Sequence, residues 1–456
     1  MSGTAPGSHG RPVKMDISVT EPMTGGQDAD ARIIRRVTLR LIPFLMLCYV
    51  IANLNRVNLS FAALQMNHDL GLSASAYGFG AGVFFVTYCL CEVPSNLMLH
   101  KYGASRWIAR IMVSWGLVAV ATAFITGPIS FFTLRLLLGA AEAGFYPGVL
   151  FFLTLWYPAP QRGRIIGLFF ASIPISGIVG GPLSGWLLTW NGVAGLHGWQ
   201  WLYIVEGAPA IVLAPLVLLL LCDHPGNASW LAADERDRLA TMISEAQRDS
   251  GPARSVREVV LDPRVLLLAA TFFSNVCLLN GITFFLPQIV KSFGLGSVQT
   301  GFVVAVPSLL ALVMLLWWGR RSDARGERFG HAALANLVGG TALLVAMLLH
   351  DPAARIAAIS VSFASTLAFT APFWAIPGTF LSGRSAAVGI ATISALGVIG
   401  GLVAPWGIGV LHDVTGDFRV GLGVFAVLAM VVTGAFYRFG RSTHALHDTL
   451  SKGPSR

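Results

Sequence analysis

Apolar stretches long enough to cross a bilayer, each closed by a short polar turn, follow one another along nearly the whole chain. Residues 265–290, VLLLAATFFSNVCLLNGITFFLPQIV, contain no Asp, Glu, Lys or Arg, and a hydrocarbon core of about 30 Å is crossed by about 20 helical residues. Lipid leaves no partner for a bare backbone group, so runs of this length read as helices. Comparable runs predict helices near 41–65, 76–99, 107–126, 130–156, 164–190, 200–222, 264–290, 298–319, 330–350, 354–377, 385–411 and 419–438. The hairpin TWNGVAGLHGWQW lies within an uncharged region from Ile165 to Val205. It must turn at the lipid boundary, where Trp190, Trp199 and Trp201 suit an interfacial belt.

The longest polar interruption runs from Cys222 to Pro263 and divides six spans from six. The two sides echo each other. GLSASAYGF from Gly71 matches GLGSVQTGF from Gly294, and GIVGG from Gly177 matches GVIGG from Gly397, at offsets of 223 and 220 residues. Near-equal offsets argue for a duplicated half. The expected fold is an all-α integral membrane protein, with about twelve transmembrane helices in two pseudo-symmetric six-helix bundles. Its parts are a tail over 1–40, a bundle over 41–222, a linker over 223–263, a second bundle over 264–440 and a tail over 441–456. Within the linker, SWLAADERDRLATMISEAQRD has capping residues and i,i+4 charge pairs that predict an amphipathic helix.

Composition agrees with this pattern. Of 456 residues 55% are hydrophobic and 12% charged, and the mean hydropathy of +0.69 excludes a soluble fold. The net charge of +9 sorts by side. Arg32, Arg35, Arg36, Arg40, Lys101, Arg106, Arg162, Arg164, Arg320, Arg321, Arg325 and Arg328 all fall in connections on one face, with Lys291, Arg355 and Arg419 the main exceptions. Both termini and the linker are therefore expected in the cytoplasm, with the chain multi-pass in a bacterial inner membrane. The charge reads as topology, with no case for nucleic acid. Residues 1–30 read as a disordered lead without a cleavable signal. The five cysteines, Cys48, Cys89, Cys91, Cys222 and Cys277, lack metal spacing and read as packing residues. No cofactor, no metal and no enzymatic nucleophile with its base is expected, and the sequons at Asn58 and Asn227 read as chance.

An ionisable side chain at membrane depth costs about 2.5–3.5 kcal/mol on insertion scales, so each needs a partner or a wet cavity. The candidates are Arg56, Glu92, Arg135, Glu142 and Glu206. Arg135 and Glu142 stand seven apart on the fourth predicted helix, which brings them to nearly one face with Gly139 between. A structural ion pair that only fixes packing is the plainer alternative.

In order along the chain, NRVNLSFAALQMNHDLGLS, CEVPSNLML, RLLLGAAEAGFYPGVLFFLTLWYP, FFLPQIVKSFGL, WWGRRSDARGER and FLSGRSAAVGIA resemble the major facilitator superfamily. Within it they resemble the anion:cation symporter branch, permeases for tartrate, phthalate, hydroxyphenylacetate and sugar acids. The resemblance runs from Arg40 to Gly440. It implies that helices 1 and 4 line a central cavity, where Arg56 and Arg135 would hold a carboxylate and Glu142 would carry the coupling proton. Protonating Glu142 would raise the local charge from +1 to +2, so that proton and anion bind together. It also implies cytoplasmic gating by Glu92 beside Pro94 and by Asp323 with Arg320, Arg321 and Arg325. Glu206 reads as an interfacial or interdomain contact. The clusters GIVGGPLSG and GVIGGLVAP read as close packing at a moving interface.

The chain departs from that branch at telling places. Where relatives carry Tyr-Leu-Asp-Arg, it has Asn53-Leu54-Asn55-Arg56, and an amide cannot titrate as the acid does. Ser394 and Val398 stand where asparagines are usual in helix 11, and Asn280 where helix 7 usually has a tyrosine. Asn53, Asn280 and Ser394 are expected to contact substrate. The expected activity is alternating-access transport of a small organic anion, by a monomer with Glu142 as sole proton carrier. A proton-independent exchanger or uniporter, a channel or sensor, and a drug-proton exporter remain alternatives.

Overall fold

The computed structural model describes residues 25–245, 255–381 and 383–451. Among these, 12 helices are long and apolar enough to span a membrane. They are α1 (Asp28–Asp69), α2 (Ala74–Tyr102), α3 (Ala104–Phe124), α4 (Pro128–Trp156), α5 (Gln161–Trp190), α6 (Gly198–Leu220), α7 (Pro263–Lys291), α8 (Ser297–Arg325), α9 (Phe329–Leu348), α10 (Pro352–Thr379), α11 (Ser385–Thr415) and α12 (Phe418–Gly440). Each predicted run coincides with one of them, nine falling wholly inside and those over 107–126, 200–222 and 330–350 running two residues past the helix end. The chain is an all-α, multi-pass membrane protein.

The ends differ from expectation. Helix begins at Gly25, inside the stretch read as a disordered lead. Ile33, Val37, Leu41 and Ile42 are spaced for one helical face and are all buried, so a polar sequence still forms an amphipathic turn-by-turn extension of α1. Residues 1–24 lie outside the described residues, as do 246–254 of the linker. The last helix continues past the predicted span to Ser451.

Two crossings join the halves, α2 against α11 and α5 against α8. Both use glycines. Gly78 rests on the Pro405 carbonyl, Gly82 on Leu402, Gly409 on the Ala74 carbonyl and Gly401 on the Phe85 ring. At the second crossing, Gly181 meets Gly301, Gly185 meets Ser297 and Gly301, and Gly177 meets Ser308. Most of these contacts set backbone against backbone, which residues without side chains allow, while Gly401 and Gly177 make room for the Phe85 ring and the Ser308 side chain. The sequence echo has a counterpart here: Gly181 of GIVGG and Gly401 of GVIGG each meet the opposite half, while Gly180 and Gly400 each pack within their own half, on Leu54 and on Phe273 and Cys277.

All of these contacts lie toward one end, where α2 and α8 begin and α5 and α11 finish. The hydrogen bonds between halves, among the described residues, lie there too. Asp413 of α11 accepts from the N–H groups of Ala74 and Ser75 at 3.0 and 2.9 Å, so its carboxylate caps the positive end of α2. Tyr77 Oη donates to the Phe284 carbonyl at 3.0 Å. That end is sealed, and the halves separate toward the end bearing the first and last described residues.

Within the second half, a polar cluster ties four helices: Asn275 of α7 donates to Asn336 Oδ1 of α9 at 3.2 Å and to the Thr366 carbonyl of α10 at 3.3 Å, and Asn336 donates to Thr433 Oγ1 of α12 at 2.8 Å. The linker helix, Ala233–Glu245, docks on the first half, against α1 and α4. Arg36 forks onto both oxygens of Glu235 at 2.7 Å, Arg238 onto Asp30 at 2.8 and 2.7 Å, and Arg40 lies 5.3 Å from the Trp230 ring centroid.

At Gly181 an added Cβ would sit 2.6 Å from the Gly301 carbonyl oxygen. Gly181→Val is expected to cost about 1–3 kcal/mol through overpacking and to prevent the sealed end from closing. Raised accessibility of a single cysteine placed at Ser308, with unchanged membrane abundance, would report it.

Candidate functional site

The site grows from a break in α4. Its first segment ends at Glu142, where Ala143 turns extended (ψ 131°) and Gly144 takes φ +89°, a left-handed value that favours glycine. The freed Ala143 carbonyl accepts from Ser95 Oγ of α2 at 2.7 Å, and that hydroxyl accepts from Trp107 Nε1 of α3 at 3.0 Å. The Ala143 carbonyl therefore keeps a donor at the break. Above it, Gly139 lets α4 approach the Phe84 carbonyl, and Thr87 Oγ1 donates to the Leu136 carbonyl at 2.7 Å. The helix end that carries Glu142 is thus fixed against α2, with α3 behind it.

Across from it, Arg56 of α1 donates from Nη2 to Glu142 Oε1 at 2.6 Å. The two partners are not equally wet. The Arg56 side chain is 28% exposed and that of Glu142 3%, so the arginine is the more accessible partner, although its Nε is buried without a hydrogen bond. Phe84 and Tyr88 of α2 lie under Arg56, their ring centroids 5.5 and 5.9 Å from its Cζ. Toward the open end, Tyr49 stacks on Phe169 at 4.5 Å and on Tyr146 at 5.8 Å, and Tyr146 packs on Phe170. One cation on an aromatic wall can accept a carboxylate attached to an apolar or planar body.

Arg135 is placed differently. It is 3% exposed and donates from Nε to the Gly80 carbonyl at 3.0 Å and from Nη2 to the Ala81 carbonyl at 3.2 Å. Its Cζ lies 5.0 Å from the Phe84 centroid, so Arg56 and Arg135 share one ring. The face of α4 expected to look into open space instead packs on α2. Arg56 and Glu142 are brought together, and Arg135 stands one ring away, engaged with backbone.

The amides mostly bond their own helices. Asn53 donates to the Tyr49 carbonyl at 2.8 Å, Asn55 to Ile51 at 3.0 Å and Asn280 of α7 to Val276 at 3.0 Å. Each such amide keeps one further N–H. Asn280 is half-buried on the helix of the second half that touches α1, and Ser394 is half-buried on α11.

The gating candidates are scattered. Glu92 is half-buried in α2, with no ion pair among the described residues. Arg320, Arg321, Asp323 and Arg325 are exposed, and Asp323 forms no ion pair among the described residues; Arg321 lies 5.4 Å from the Trp317 ring centroid. An open end leaves such charges without counterparts. The ordered acid there is Glu327, between α8 and α9, which accepts from the N–H groups of Gly330 and His331 and from His331 Nδ1. Burial opposes its ionisation, yet these bonds hold the carboxyl below its ordinary value.

Glu206 is neither interfacial nor between halves. It is 1% exposed inside the first bundle and accepts from Ser184 Oγ of α5 at 2.7 Å. Sequence reasoning also passed over Phe84, Tyr88 and Ser95. Ser95 stood in the quoted motif CEVPSN, where the eye went to the acid and the proline.

Comparison with known proteins agrees with this architecture. Residues 45–405 match the family model described as Major Facilitator Superfamily. The chain belongs to the Major Facilitator Superfamily. As a member it is a secondary transporter of small molecules rather than an enzyme. It is 44% identical over 405 residues to the "Putative tartrate transporter" of Agrobacterium vitis, covering 89% of this chain and 90% of that one. It is 42% identical over 406 residues to the "Quinolone resistance transporter" of Acinetobacter baumannii, covering 88% and 94%. Among solved structures, a bacterial homologue of the human lysosomal transporter Spinster, inward-facing and occupied, superposes with a TM-score of 0.70 at 15% identity, covering 91% of this chain and 98% of that chain. That likeness concerns fold alone.

Ser95→Ala removes the partner of both the Ala143 carbonyl and the Trp107 indole. Leaving such groups unmet costs about 1–3 kcal/mol each, so the variant is expected to melt several degrees lower in detergent. Ser95→Thr, which keeps the hydroxyl, should recover part of that loss.

Proposed function

We propose that this transporter carries small organic acid anions by alternating access, with Arg56 as the primary anion contact and Glu142 as the proton-responsive group. The observation that carries the reading is the Arg56–Glu142 pair at 2.6 Å, wet on the arginine side and dry on the carboxylate side. A substrate carboxylate reaching Arg56 competes with Glu142 for the same donors. If Glu142 takes a proton, the competition ends, and the fork of Arg56 is free to bind the anion with two parallel bonds. Proton and anion then favour each other's binding.

Arg135 serves this site from behind. Its charge reaches Phe84 and the Arg56 region, while its donors hold the α2 carbonyls of Gly80 and Ala81. Asn53, Asn280 and Ser394 offer polar contacts around the anion. The aromatic wall of Tyr49, Tyr146 and Phe170 suits a substrate with an apolar or ring-bearing body, and the relative named for tartrate supports the carboxylate class. Under the positive-inside rule the open end faces the cytoplasm of a bacterial inner membrane, which makes the conformation inward-facing. Exposed Asp323 and its arginine neighbours then belong to the gate that closes in the opposite state.

Asn55 supports a second reading. The resemblance to the anion:cation symporter branch implies an acid there, whereas this amide is 2% exposed and bonded to Ile51. Coupling through Glu142 alone, or exchange without protons, follows from that change. The relative named for quinolone resistance supports net outward movement as a further variant.

Purified protein in liposomes, loaded with unlabelled acid, distinguishes these readings. Counterflow of a labelled carboxylate is expected, and a channel or sensor would show none. Arg56→Lys should lower kcat/KM at least tenfold, about 1.4 kcal/mol, because an ammonium cannot fork. Glu142→Gln should retain exchange and lose acceleration by an inward proton gradient. Wild-type flux that ignores pH would remove Glu142 from the mechanism.

A further inference from the structure

Glu206 is a deep carboxyl that the transport scheme leaves unused. Its Oε1 accepts one hydrogen bond, from Ser184 Oγ, and its Oε2 is buried without any partner. No Arg, Lys or His among the described residues pairs with it, whereas Glu142 has Arg56. An ionised carboxylate in that position would be a buried charge answered by a single hydroxyl, the arrangement membranes tolerate least.

The groups around it are few. On α6 itself, Tyr203 points its hydroxyl to Met66 Sδ of α1 at 3.9 Å. Arg135 of α4 lies beyond that tyrosine, committed to α2 carbonyls. From α3, Ala119 and Val120 pack on the neighbouring Gly207. Asp69 of α1 meets His197 at 3.2 Å and Trp199 Nε1 at 2.9 Å, near the start of α6 and about 10 Å along the axis from Glu206. The remaining neighbour is Ser184, and its position is telling. It lies on α5 between Gly181 and Gly185, the two glycines whose backbones rest on Gly301 and Ser297 of the other half.

We propose that Glu206 is a second proton site: a neutral carboxylic acid while the end bearing Ala74 and Asp413 is sealed, and a group that gives its proton to water when that end opens. Parting α5 from α8 removes the packing that keeps water from the Ser184–Glu206 contact. The O–H bond of Glu206 then breaks, its proton passes to water, and the carboxylate keeps the Ser184 hydroxyl as donor. Re-protonation from the same side must precede resealing, so Glu206 carries no proton across the membrane and links protonation to the conformational step rather than to the anion. The conformational half of this inference rests on the alternating access proposed above; the protonation half rests on neither substrate nor coupling.

Infrared spectroscopy of the full-length protein in lipid vesicles tests it, reading the C=O band of protonated carboxyl groups as pH is varied. A band persisting at neutral pH is expected, abolished in Glu206→Gln and retained in Glu142→Gln. Wild type without that band, or Glu206→Gln with the band at full strength, overturns the protonation. Should Glu206→Gln fail to fold, Ser184→Ala serves: losing the hydrogen bond should shift the band's frequency, and an unmoved band overturns the assignment. In liposomes, Glu206→Gln should leave the proton-to-substrate stoichiometry unchanged and remove the dependence of turnover on pH at the side of the sealed end, and a dependence that persists in this variant overturns the exchange step. If the band behaves as expected while wild-type uptake ignores pH, the coupling assigned to Glu142 fails. That result also overturns the exchange step, while Glu206 stands as a resident neutral acid.

Discussion

A bilayer interior offers no water to a polar group, so every such group in this protein must be answered from within the fold. The answers differ in kind. Arg135 is met by two backbone carbonyls of α2, Arg56 by a carboxylate, and Glu206 by one hydroxyl. The first is a settled arrangement. The second can be exchanged, because the Arg56 side chain remains partly exposed. The third is incomplete. A single constraint thus yields a rigid support, a binding group and a candidate switch, according to how fully each charge is satisfied.

The same constraint explains why α4 breaks where it does. A helix interruption in lipid is tolerable only if the freed carbonyl finds a donor, and Ser95 supplies one at Ala143. The break sets Glu142 at a helix end rather than in a continuous wall, within reach of α1. Local backbone geometry, a serine on one helix and an indole on another together decide where a carboxyl sits in the membrane.

How much of this could be read beforehand depended on the range of the interaction. The twelve spans were legible because burial in lipid writes itself into each segment independently. The inter-half crossings were legible as repeated glycine clusters, since backbone contact tolerates no side chain. Arg56 and Glu142 were legible through resemblance, from residues in recognised motifs. The commitment of Arg135 to Gly80 and Ala81 was not, because it depends on which carbonyls of α2 face α4. Nor was the burial of Glu206, set by how α5 and α6 fold against one another. The helical lead from Gly25 was missed because its polar composition outweighed the modest spacing of Ile33, Val37 and Leu41.

The linker helix carries a consequence of another sort. Two forked arginine–carboxylate pairs bind it to the amino-terminal end of α1, and no comparable tie to the second half is present among the described residues. It therefore rides as cargo on the first bundle. Of the arginines that orient the chain in the membrane, Arg36 grips this helix and Arg40 lies over Trp230 just before it. A dye on this helix would track the tilt of one bundle alone, a fixed fiducial mark from which the swing of the other can be measured.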